Sequence, residues 1–402
     1  MYKKHILSLL LFIAGFSLFS QTTDNNKPYL LVVSLDGFRW DYPQKYKLPH
    51  FDSIAYKGVK AKSIQPCFPT VTFPNHYSMA TGLYPDNHGI VQNKFYDPDL
   101  KLTYKIGDSK MVMDSRFYNG EPIWVTAEKQ GVKSASFYWV GSEAKIKNIQ
   151  PSYWKIYENK IPFNQRIDTL MHWFQLPESE RPHLLLFYLP EPDGISHDFG
   201  PNSKETQQMV SYLDSIMWVM VNKISSLPIG KKINIIITSD HGMAELNSKK
   251  NIVIDDYLKP EWIKGFYGYN PTYNLSVNEN CLDSVYNALK KVEHLNVWKA
   301  NKLPKRLHYG KNKRIGNIVL MAEDGWSISR KKDKLPYGGA HGYDIENMDM
   351  HGIFYAIGPA FKTNYTTSTF SNINLYPLMA KILKLKPAKT DGKLSEIKQV
   401  LK

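Results

Sequence analysis

Two threonine hydroxyls lie two residues apart in the stretch PTVTFPNH (69–76), at Thr70 and Thr72. A threonine hydroxyl is a weak nucleophile unless a base or a metal ion activates it. The residues after Thr72 are predicted to form a helix with Pro74 in its first turn, where proline is tolerated. Because a helix start presents free backbone N–H groups and a positive dipole end, it attracts phosphate. One of these hydroxyls therefore suits attack on phosphorus, and the alternative is a simple helix cap.

Acidic residues follow three apolar runs of the sequence. In open α/β sheets, ligands bind beyond the carboxyl ends of the strands, so these side chains are predicted to meet at one edge. Like charges brought together repel each other, and a divalent metal ion would remove the conflict. The runs are YLLVVSL (29–35), HLLLFYL (183–189) and INIIITS (233–239), and the acidic residues after them are Asp36, Asp193 and Asp240.

Three histidines complete the candidate metal ligands. Asp193 and His197, in DGISH, are four residues apart and would share one face of a helical turn. His241 directly follows Asp240 in SDHGM, and His341 lies beside glycines in GGAHGYD, where the backbone can approach a site closely. Six ligands divide into two sets of three, each leaving open coordination positions, as catalytic zinc sites do. Two such ions can clamp the attacking and leaving oxygens of a phosphoryl displacement.

The elements that would position these residues are buried strands alternating with helices. Unbroken runs of Val, Ile and Leu of this length are typical of strands buried on both faces. The sequence therefore predicts an α/β fold with a mostly parallel central sheet sandwiched by helices. The segment 203–224 has apolar side chains at helical spacing, and we expect all of them to belong to the core. They are Met209, Tyr212, Leu213, Ile216, Met217 and Met220.

The first twenty residues have the pattern of an export signal. Lys3 and Lys4 precede the apolar run ILSLLLFIAGFSLF, and the small residue Ser20 leads into a polar stretch, which is the order of a cleavable secretory leader. An uncleaved anchor helix is the alternative, but 14 apolar residues are short for a membrane span. We therefore expect a signal peptide at 1–20, no transmembrane span in the mature chain, and export to the periplasm or the extracellular space.

The composition is that of a globular protein, with 43% hydrophobic residues, 22% charged residues and a formal net charge of +14. A basic surface suits a phosphate-bearing substrate. It would also suit nucleic acid, but no basic run is interleaved with aromatic residues on a recognisable binding fold, so no stable nucleic-acid complex is expected. The two cysteines are Cys67 and Cys281, and the sequence leaves open whether they pair.

Four motifs, in order along the chain, resemble the nucleotide pyrophosphatase/phosphodiesterase family of the alkaline phosphatase superfamily. They are PTVTFPNHYSMATGLYPDNHGIVQNKFYD, LPEPDGISHDFGP, TSDHGM and GGAHGYD. The resemblance covers nearly the whole mature chain and is to a bacterial, exported, single-domain member. It implies one alkaline-phosphatase-like catalytic domain over 21–402, within which the segment 243–340 is expected to form a small inserted, partly β subdomain.

The resemblance also implies a cofactor of two Zn²⁺ ions. In the family, the first ion is held by the Asp after the first strand, by the nucleophilic Thr and by the Asp-His pair of SDHGM. The second ion takes the Asp and His of PDxxxH and the later His of HGYD. The matching residues are Asp36, Thr72, Asp240 and His241 for the first ion, and Asp193, His197 and His341 for the second.

The nucleophile of the family is the Thr immediately before FPNH, which selects Thr72 over Thr70. An Asn in the HGIxxN segment helps to bind the phosphoryl oxygens, and the matching residue is Asn93. The resemblance implies two successive displacements, in which Thr72 attacks phosphorus and the phospho-threonine is then hydrolysed. Thr70 has no expected chemical role, and His76 is expected to be structural.

Aromatic residues bear on the choice of substrate. In nucleotide-cleaving members, aromatics at the positions of Phe73 and Tyr188 sandwich the nucleobase, and Trp139 is expected to line the same pocket. The implied substrate is a small nucleotide or a related phosphodiester, cleaved to release a nucleoside 5′-monophosphate. Glu143 lies where some members have an Asp near the base, and its role stays open.

Three alternatives stay open at this point. A phosphate monoesterase of the same superfamily would add a Lys-x-Arg pair, which the matching segment GVKSASFYWVGSEAK (131–145) lacks. A phosphodiesterase for glycerophosphocholine or lysophospholipid would use an aromatic and acidic choline cage, built from residues in 243–340. An exported binding or adhesion protein without catalysis is disfavoured by the complete ligand set and by Thr72. The sequence does not determine the oligomeric state.

Overall fold

An eight-stranded sheet runs through the computed structural model, which describes residues 27–331 and 333–402. In this sheet only the strand Phe354–Ile357 is antiparallel to its neighbours, so the predicted mostly parallel sheet is confirmed. The leader predicted at 1–20 lies outside the described residues. In spatial order the strands are Tyr365–Thr367, Val59–Ala61, Phe354–Ile357, Ile233–Thr238, Tyr29–Leu35, Leu184–Leu189, Ser134–Phe137 and Tyr153–Lys155.

The three apolar runs form adjacent strands at the centre of the sheet. Tyr29–Leu35 pairs in parallel with Leu184–Leu189 on one side and with Ile233–Thr238 on the other. Successive side chains enter opposite hydrophobic clusters, as Val32 and Val33 do. Both faces are therefore buried, which explains why the runs contain no alternating polar residues. Because the three strands are parallel, their carboxyl ends lie at one edge.

Helices cover both faces of the sheet. One face packs against Thr72–Thr81, Ile123–Lys129 and Leu375–Ile382. The other face packs against Pro49–Lys57, Phe163–Gln175 and Lys204–Ser225. The other α-helices of the described residues are Tyr42–Lys45, Pro85–His88, Ser109–Val112, Asp193–Phe199 and Leu282–Leu289.

The helix Lys204–Ser225 corrects one prediction. Ser203 caps it by accepting the Thr206 N–H at 3.1 Å, and most of the expected apolar stripe is buried. The prediction for Tyr212 is wrong, because this side chain is 46% exposed, and Met209 is only partly buried. Both side chains line a cavity at the edge of the sheet, and Met209 also packs against the core cluster. The residues that do reach the core are Leu213, Ile216, Met217 and Met220.

A second, antiparallel sheet occupies the segment 243–340. It has its own hydrophobic cluster, to which the helix Leu282–Leu289 contributes. The two ends of the segment meet, because Ala244–Glu245 pairs with Gly339–Ala340. The chain therefore leaves the central fold and returns to it at neighbouring points. In spatial order the strands of this sheet are Ile263–Tyr269, Thr272–Val277, Ile318–Ala322 and Leu295–Lys299.

The remaining strands form two-stranded pairs: Ile64–Gln65 with Phe370–Ser371, Lys94–Asp97 with Leu102–Lys105, and Asn251–Val253 with Ser327–Ser329. Cys67 and Cys281 are free thiols, and the buried Cys67 Sγ donates to Asn372 Oδ1 at 3.1 Å. Within the described residues, no helix combines the length and the apolar character that a membrane span requires.

Candidate active site

The first ligand group lies where two adjacent parallel strands end. Asp36 directly follows Tyr29–Leu35, and Asp240 and His241 come just after Ile233–Thr238. His241 Nε2 lies 3.3 Å from Asp36 Oδ1 and 3.1 Å from Asp240 Oδ2. All three side chains are buried. The pairing of the two strands thus brings together residues that are far apart in the sequence.

The second ligand group combines one helix with the end of the inserted segment. Asp193 and His197 lie one turn apart on Asp193–Phe199, with 3.4 Å between Asp193 Oδ1 and His197 Nε2. His341 follows the strand Gly339–Ala340, and its Nε2 lies 3.1 Å from His197 Nε2 and 3.5 Å from Asp193 Oδ1. The return of the inserted segment therefore delivers the third ligand. The structure places all six predicted protein ligands in two groups of three.

The three histidines of these groups share one orientation. In each, Nδ1 lies within hydrogen-bond distance of a backbone carbonyl, which can only accept, so Nδ1 carries the proton. The unprotonated Nε2 then faces the ligand group, as in metal-binding histidines whose other ring nitrogen is fixed by an outer partner. The carbonyls are those of Gly242 for His241 at 2.8 Å, Gly339 for His197 at 2.8 Å, and Thr70 for His341 at 2.9 Å.

The electrostatics of the two groups fit divalent cations. Asp36 Oδ1, Asp193 Oδ1 and Asp240 Oδ2 are buried and have no hydrogen-bond partner among the described residues. Burial, and repulsion from the other two carboxylates, raise the pKa of Asp36. Burial, and the nearby histidines, lower the pKa of His341 and keep it neutral. A cation in each group would satisfy the orphaned oxygens and relieve the repulsion.

Thr72 is the first residue of the helix Thr72–Thr81, so this helix begins one residue earlier than expected. The N-cap position belongs to Val71, and the simple helix-cap alternative therefore does not describe Thr72. Thr72 Oγ1 lies 3.3 Å from His241 Nε2. The ring of His241 stacks on that of His341 with 3.6 Å between centroids, so the hydroxyl adjoins the first group and lies near the second.

Thr70 is buried and supports the second ligand group. Its hydroxyl donates to the carbonyl of Tyr343 at 2.9 Å and accepts the N–H of Gly342 at 3.0 Å. Its own carbonyl accepts the Nδ1 proton of His341 at 2.9 Å. Thr70 therefore ties the HGYD turn to the segment that carries Thr72. This connection was not expected from the sequence, because nothing local indicates which distant turn Thr70 contacts.

Asn93 lies beside the start of the same helix. Its Oδ1 accepts the backbone N–H of Phe73 at 2.9 Å. The amide oxygen is thus occupied, which leaves the Nδ2 amino group as the donor available to an anion near Thr72. This fixed orientation agrees with a side chain that binds phosphoryl oxygens.

A cavity of about 940 Å³ opens next to Thr72 and Asp36, and Phe73, Trp139 and Tyr188 all line it. The Trp139 indole N–H donates to the carbonyl of His76 at 3.1 Å, so this ring is fixed. The Tyr188 hydroxyl donates to Asp36 Oδ2 at 2.5 Å, and burial raises the pKa of Tyr188, which keeps it a neutral donor. Tyr188 therefore lines the cavity and also orients the candidate metal ligand Asp36.

Two further residues of the site were not predicted. Tyr157 lines the cavity and is 45% exposed, and its ring centroid lies 6.3 Å from that of Tyr188. The backbone N–H of Tyr157 donates to Glu143 Oε1 at 3.1 Å. His76, expected to be structural, has its Nδ1 3.0 Å from the Thr72 carbonyl and 3.3 Å from Asp240 Oδ2. His76 could have been predicted as a site residue, because it lies one helical turn after Thr72. Tyr157 lies in a loop whose sequence has no distinctive pattern.

A family model described as type I phosphodiesterase/nucleotide pyrophosphatase matches residues 30–344. This range includes Thr72, both ligand groups and the inserted segment. The chain belongs to this family. The family prediction that rested on the four motifs is therefore confirmed.

Curated relatives support the same family. The chain is 36% identical over 388 residues to human ectonucleotide pyrophosphatase/phosphodiesterase family member 1, across 93% of this chain and 42% of that protein. Venom phosphodiesterase from Macrovipera lebetinus is 35% identical, across 93% of this chain and 45% of that protein. Human family member 5 is 34% identical, across 95% and 80% of the two chains. The chain thus spans less than half of the first two relatives and most of the third.

Solved structures show the same fold. An inactive threonine-to-alanine variant of murine ectonucleotide pyrophosphatase/phosphodiesterase 5, in complex with AMP, has a TM-score of 0.90 and 34% identity, covering 94% of this chain and 100% of that one. The human counterpart has a TM-score of 0.89 and covers 93% and 99% of the two chains. The predicted α/β fold is confirmed.

Proposed function

We propose that this chain is a zinc-dependent phosphodiesterase that hydrolyses phosphodiester or phosphoanhydride bonds of nucleotides and releases nucleoside 5′-monophosphates. The observation that carries this proposal is the Thr72 hydroxyl at a helix start, 3.3 Å from His241 Nε2 and beside two groups of three metal ligands. A helix start favours a phosphate, and a hydroxyl there can act as the nucleophile once it is activated.

The cofactor is proposed to be two Zn²⁺ ions. Asp36, Asp240 and His241, with Thr72, would hold one ion, and the Asp193 group would hold the other. Mixed histidine and carboxylate ligands with open positions are those of catalytic zinc. When bound, such ions polarise phosphoryl oxygens and lower the pKa of a coordinated hydroxyl or water.

Each side chain of the site has its own role in the proposed reaction. The Thr72 oxygen forms a bond to phosphorus as the bond from phosphorus to the leaving oxygen breaks, and water then cleaves the phospho-threonine. Asn93 Nδ2 and the Thr72 backbone N–H stabilise the phosphoryl oxygens, because both donors are positioned before the reaction, whereas the Phe73 N–H is already bonded to Asn93 Oδ1. Tyr188 holds Asp36 in place through its hydrogen bond, and His76 Nδ1 lies 3.3 Å from Asp240 Oδ2.

The nucleoside is proposed to bind in the cavity next to Thr72. Phe73, Tyr157 and Tyr188 provide aromatic surface, and stacking on such rings tolerates any base. A relative of the same fold binds AMP. Among the described residues lining the cavity, Lys160 is the single cation, which suits a diester better than the more highly charged phosphate of a monoester. Glycerophosphocholine remains the competing diester.

The location and partners follow from the same comparison. We propose that the chain is exported, with the leader at 1–20 removed, and acts in the periplasm or outside the cell on small phosphodiesters. Residues 21–402 would then form one catalytic domain. Support comes from the leader pattern of the sequence and from relatives whose names describe ecto-enzymes and venom enzymes.

The mature chain supplied with zinc tests this function. It should hydrolyse p-nitrophenyl thymidine 5′-monophosphate much faster than p-nitrophenyl phosphate or glycerophosphocholine. Thr72→Ala should abolish the reaction and the labelling of the protein by a phosphorus-32 substrate, while Thr72→Ser retains part of both. Faster cleavage of the monoester, or of glycerophosphocholine, would refute the proposed substrate class, and full activity of Thr72→Ala would refute the nucleophile.

A further inference from the structure

Arg166 is a buried guanidinium without a carboxylate partner among the described residues. It lies in the first turn of the helix Phe163–Gln175 and is fully buried. Nε donates to the carbonyl of Ile161 at 2.9 Å and Nη2 to that of Asn159 at 3.0 Å, whereas Nη1 has no partner in the described part of the chain. A guanidinium stays protonated even when buried, and buried charges are normally paired. Some other role must therefore explain why arginine occupies this position.

The two carbonyls that Arg166 binds belong to a wall of the cavity. The segment 157–162 supplies this wall, and Tyr157 stands at its beginning. At that end the Tyr157 N–H donates to Glu143 Oε1 at 3.1 Å. Arg166 fastens the other end through its two hydrogen bonds. Because the Tyr157 ring is 45% exposed, packing alone does not fix it, and its position depends on these attachments.

The guanidinium also contacts the ring that supports Tyr157. Its Cζ lies 5.1 Å from the centroid of the Tyr138 ring and 5.3 Å from that of Phe163. Tyr138 has a φ of 73°, a left-handed conformation that a tyrosine rarely adopts and that its surroundings must hold. The Tyr138 and Tyr157 rings meet edge to face, with 5.0 Å between centroids. A continuous set of contacts thus runs from Arg166 through Tyr138 to Tyr157.

The chemistry of this position requires arginine in particular. Two directed N–H donors must reach two carbonyls while the guanidinium carbon lies 5.1 Å and 5.3 Å from the centroids of two aromatic rings. A planar guanidinium can do both at once, whereas the single ammonium of lysine cannot. Replacement by lysine should therefore keep the charge but release the wall segment.

We propose that Arg166 is a positioning residue for recognition of the nucleobase, which sets the Tyr157 ring in the cavity that Tyr157 shares with Phe73 without touching the substrate itself. This inference rests on the proposed nucleotide phosphodiesterase function. None of the hydrogen bonds or ring contacts of Arg166 described above reaches a metal-ligand group. Its loss should therefore weaken binding of the nucleoside and leave phosphoryl transfer intact.

Two diester substrates separate these effects. p-Nitrophenyl thymidine 5′-monophosphate contains a nucleoside, whereas bis(p-nitrophenyl) phosphate does not. Arg166→Lys should raise KM for the first about tenfold with little change in kcat, and should leave kcat/KM for the second within about twofold. The matched control is Arg181→Lys, which changes an arginine that is paired with Glu178 away from the cavity. Equal losses on both substrates, or no change on either, would overturn the proposal.

Binding and a mutant cycle provide readouts that do not depend on turnover. Calorimetry should show about tenfold weaker AMP binding by Arg166→Lys and unchanged binding of inorganic phosphate. In the Tyr157→Ala background, Arg166→Lys should cause no further loss of AMP affinity, because the ring that it positions is gone. Additive losses would refute the connection through Tyr157. If Arg166→Lys does not fold, Tyr138→Leu takes its place in the cycle with the same expected result.

The two proposals fail in different ways. If the unmodified chain does not cleave the nucleoside diester and does not bind AMP, the proposed function is wrong. If it does both, and Arg166→Lys has the same substrate preference and AMP affinity as the unmodified chain, only the role of Arg166 is wrong.

Discussion

The two ligand groups of the site are built in different ways. Asp36, Asp240 and His241 are buried and come from the ends of two strands that pair along their length. Asp193 and His197 come from a helix of seven residues, and the His197 side chain is 40% exposed. The sheet ladder holds the first group, whereas packing between separate segments holds the second. We therefore expect a rigid first group and a second group whose metal exchanges more easily.

This difference fits the two requirements of a displacement reaction, a fixed nucleophile and an accessible side for the leaving group and water. The proposed nucleophile Thr72 adjoins the rigid group, where a fixed attack geometry would contribute most to the rate. In the proposed reaction the more exposed group would lie where the leaving group departs and water enters, because solvent reaches its His197 side chain. One site therefore combines a preorganised half with an accessible half, and mutations should distinguish the two.

The largest effect is expected in the rigid group. Asp240→Asn removes a charged ligand that is buried and lies 3.1 Å from His241 Nε2, and no nearby group can replace it. kcat should fall on the order of 10³-fold, equivalent to about 4 kcal/mol, and excess zinc should not restore it. Steady-state kinetics on p-nitrophenyl thymidine 5′-monophosphate measure the fall in kcat. The control is Asp198→Asn, which changes an exposed aspartate. Retention of a tenth of the activity would contradict a rigid, irreplaceable first group.

A smaller and reversible loss is expected in the accessible group. His197→Ala opens a site that solvent already reaches, so water can occupy the vacant position. Activity at low free zinc should fall roughly 10²-fold, and raising free zinc in a metal buffer should recover much of it. The contrast between the two groups would be wrong if Asp240→Asn responded to added zinc more strongly than His197→Ala.

Removal of the Thr70 hydroxyl, which supports the second group, should reduce activity less than removal of a metal ligand does. Thr70→Val keeps the shape of the side chain but removes the hydroxyl bonded to Tyr343 and Gly342. Zinc affinity of the second group should fall about tenfold, while phosphorylation of Thr72 at saturating zinc is preserved. Metal titration monitored by activity tests this, and Thr169→Val on an outer helix turn serves as control. A fall in zinc affinity confined to the first group would refute the connection between Thr70 and the second group.

The smallest effect is expected at Tyr188. Tyr188→Phe keeps the ring in the cavity and removes only the hydrogen bond to Asp36. kcat should fall by a few-fold, corresponding to about 1 kcal/mol, while KM for the nucleoside substrate stays the same. Tyr42→Phe is a matched control, because the buried Tyr42 hydroxyl has no hydrogen-bond partner in the described part of the chain. A rise in KM without loss of kcat would show that the hydroxyl contacts substrate instead of orienting Asp36.

Much of the site could be anticipated because its ligands follow strong local patterns. Asp36 and Asp240 come after apolar runs, and parallel strands must end at a common edge. The family motifs then separated Thr72 from Thr70. Tyr212 was assigned wrongly to the core, since helical spacing predicts which side chains share a face but not where a cavity interrupts that face.

The contacts between distant segments could not be anticipated. Thr70 binds the turn after His341, and Arg166 lies against the ring of Tyr138. Each of these contacts depends on how two elements pack, and no spacing in the sequence encodes that arrangement. The same holds for Tyr157, whose loop has no periodic pattern.

By itself, the sequence determined the buried strands, the candidate metal ligands, the proposed nucleophile through its motif, and the family. These features depend on local residue type and order, which act over a few residues. Only the tertiary structure decided that the inserted segment closes on itself at Ala244–Glu245 and Gly339–Ala340 and so delivers His341 to His197. It also decided that Thr70 binds the turn after His341 and that the guanidinium of Arg166 lies against the ring of Tyr138. The physical reason is that such contacts arise from the packing of whole elements, whose relative positions are set by the core and not by any single stretch of chain.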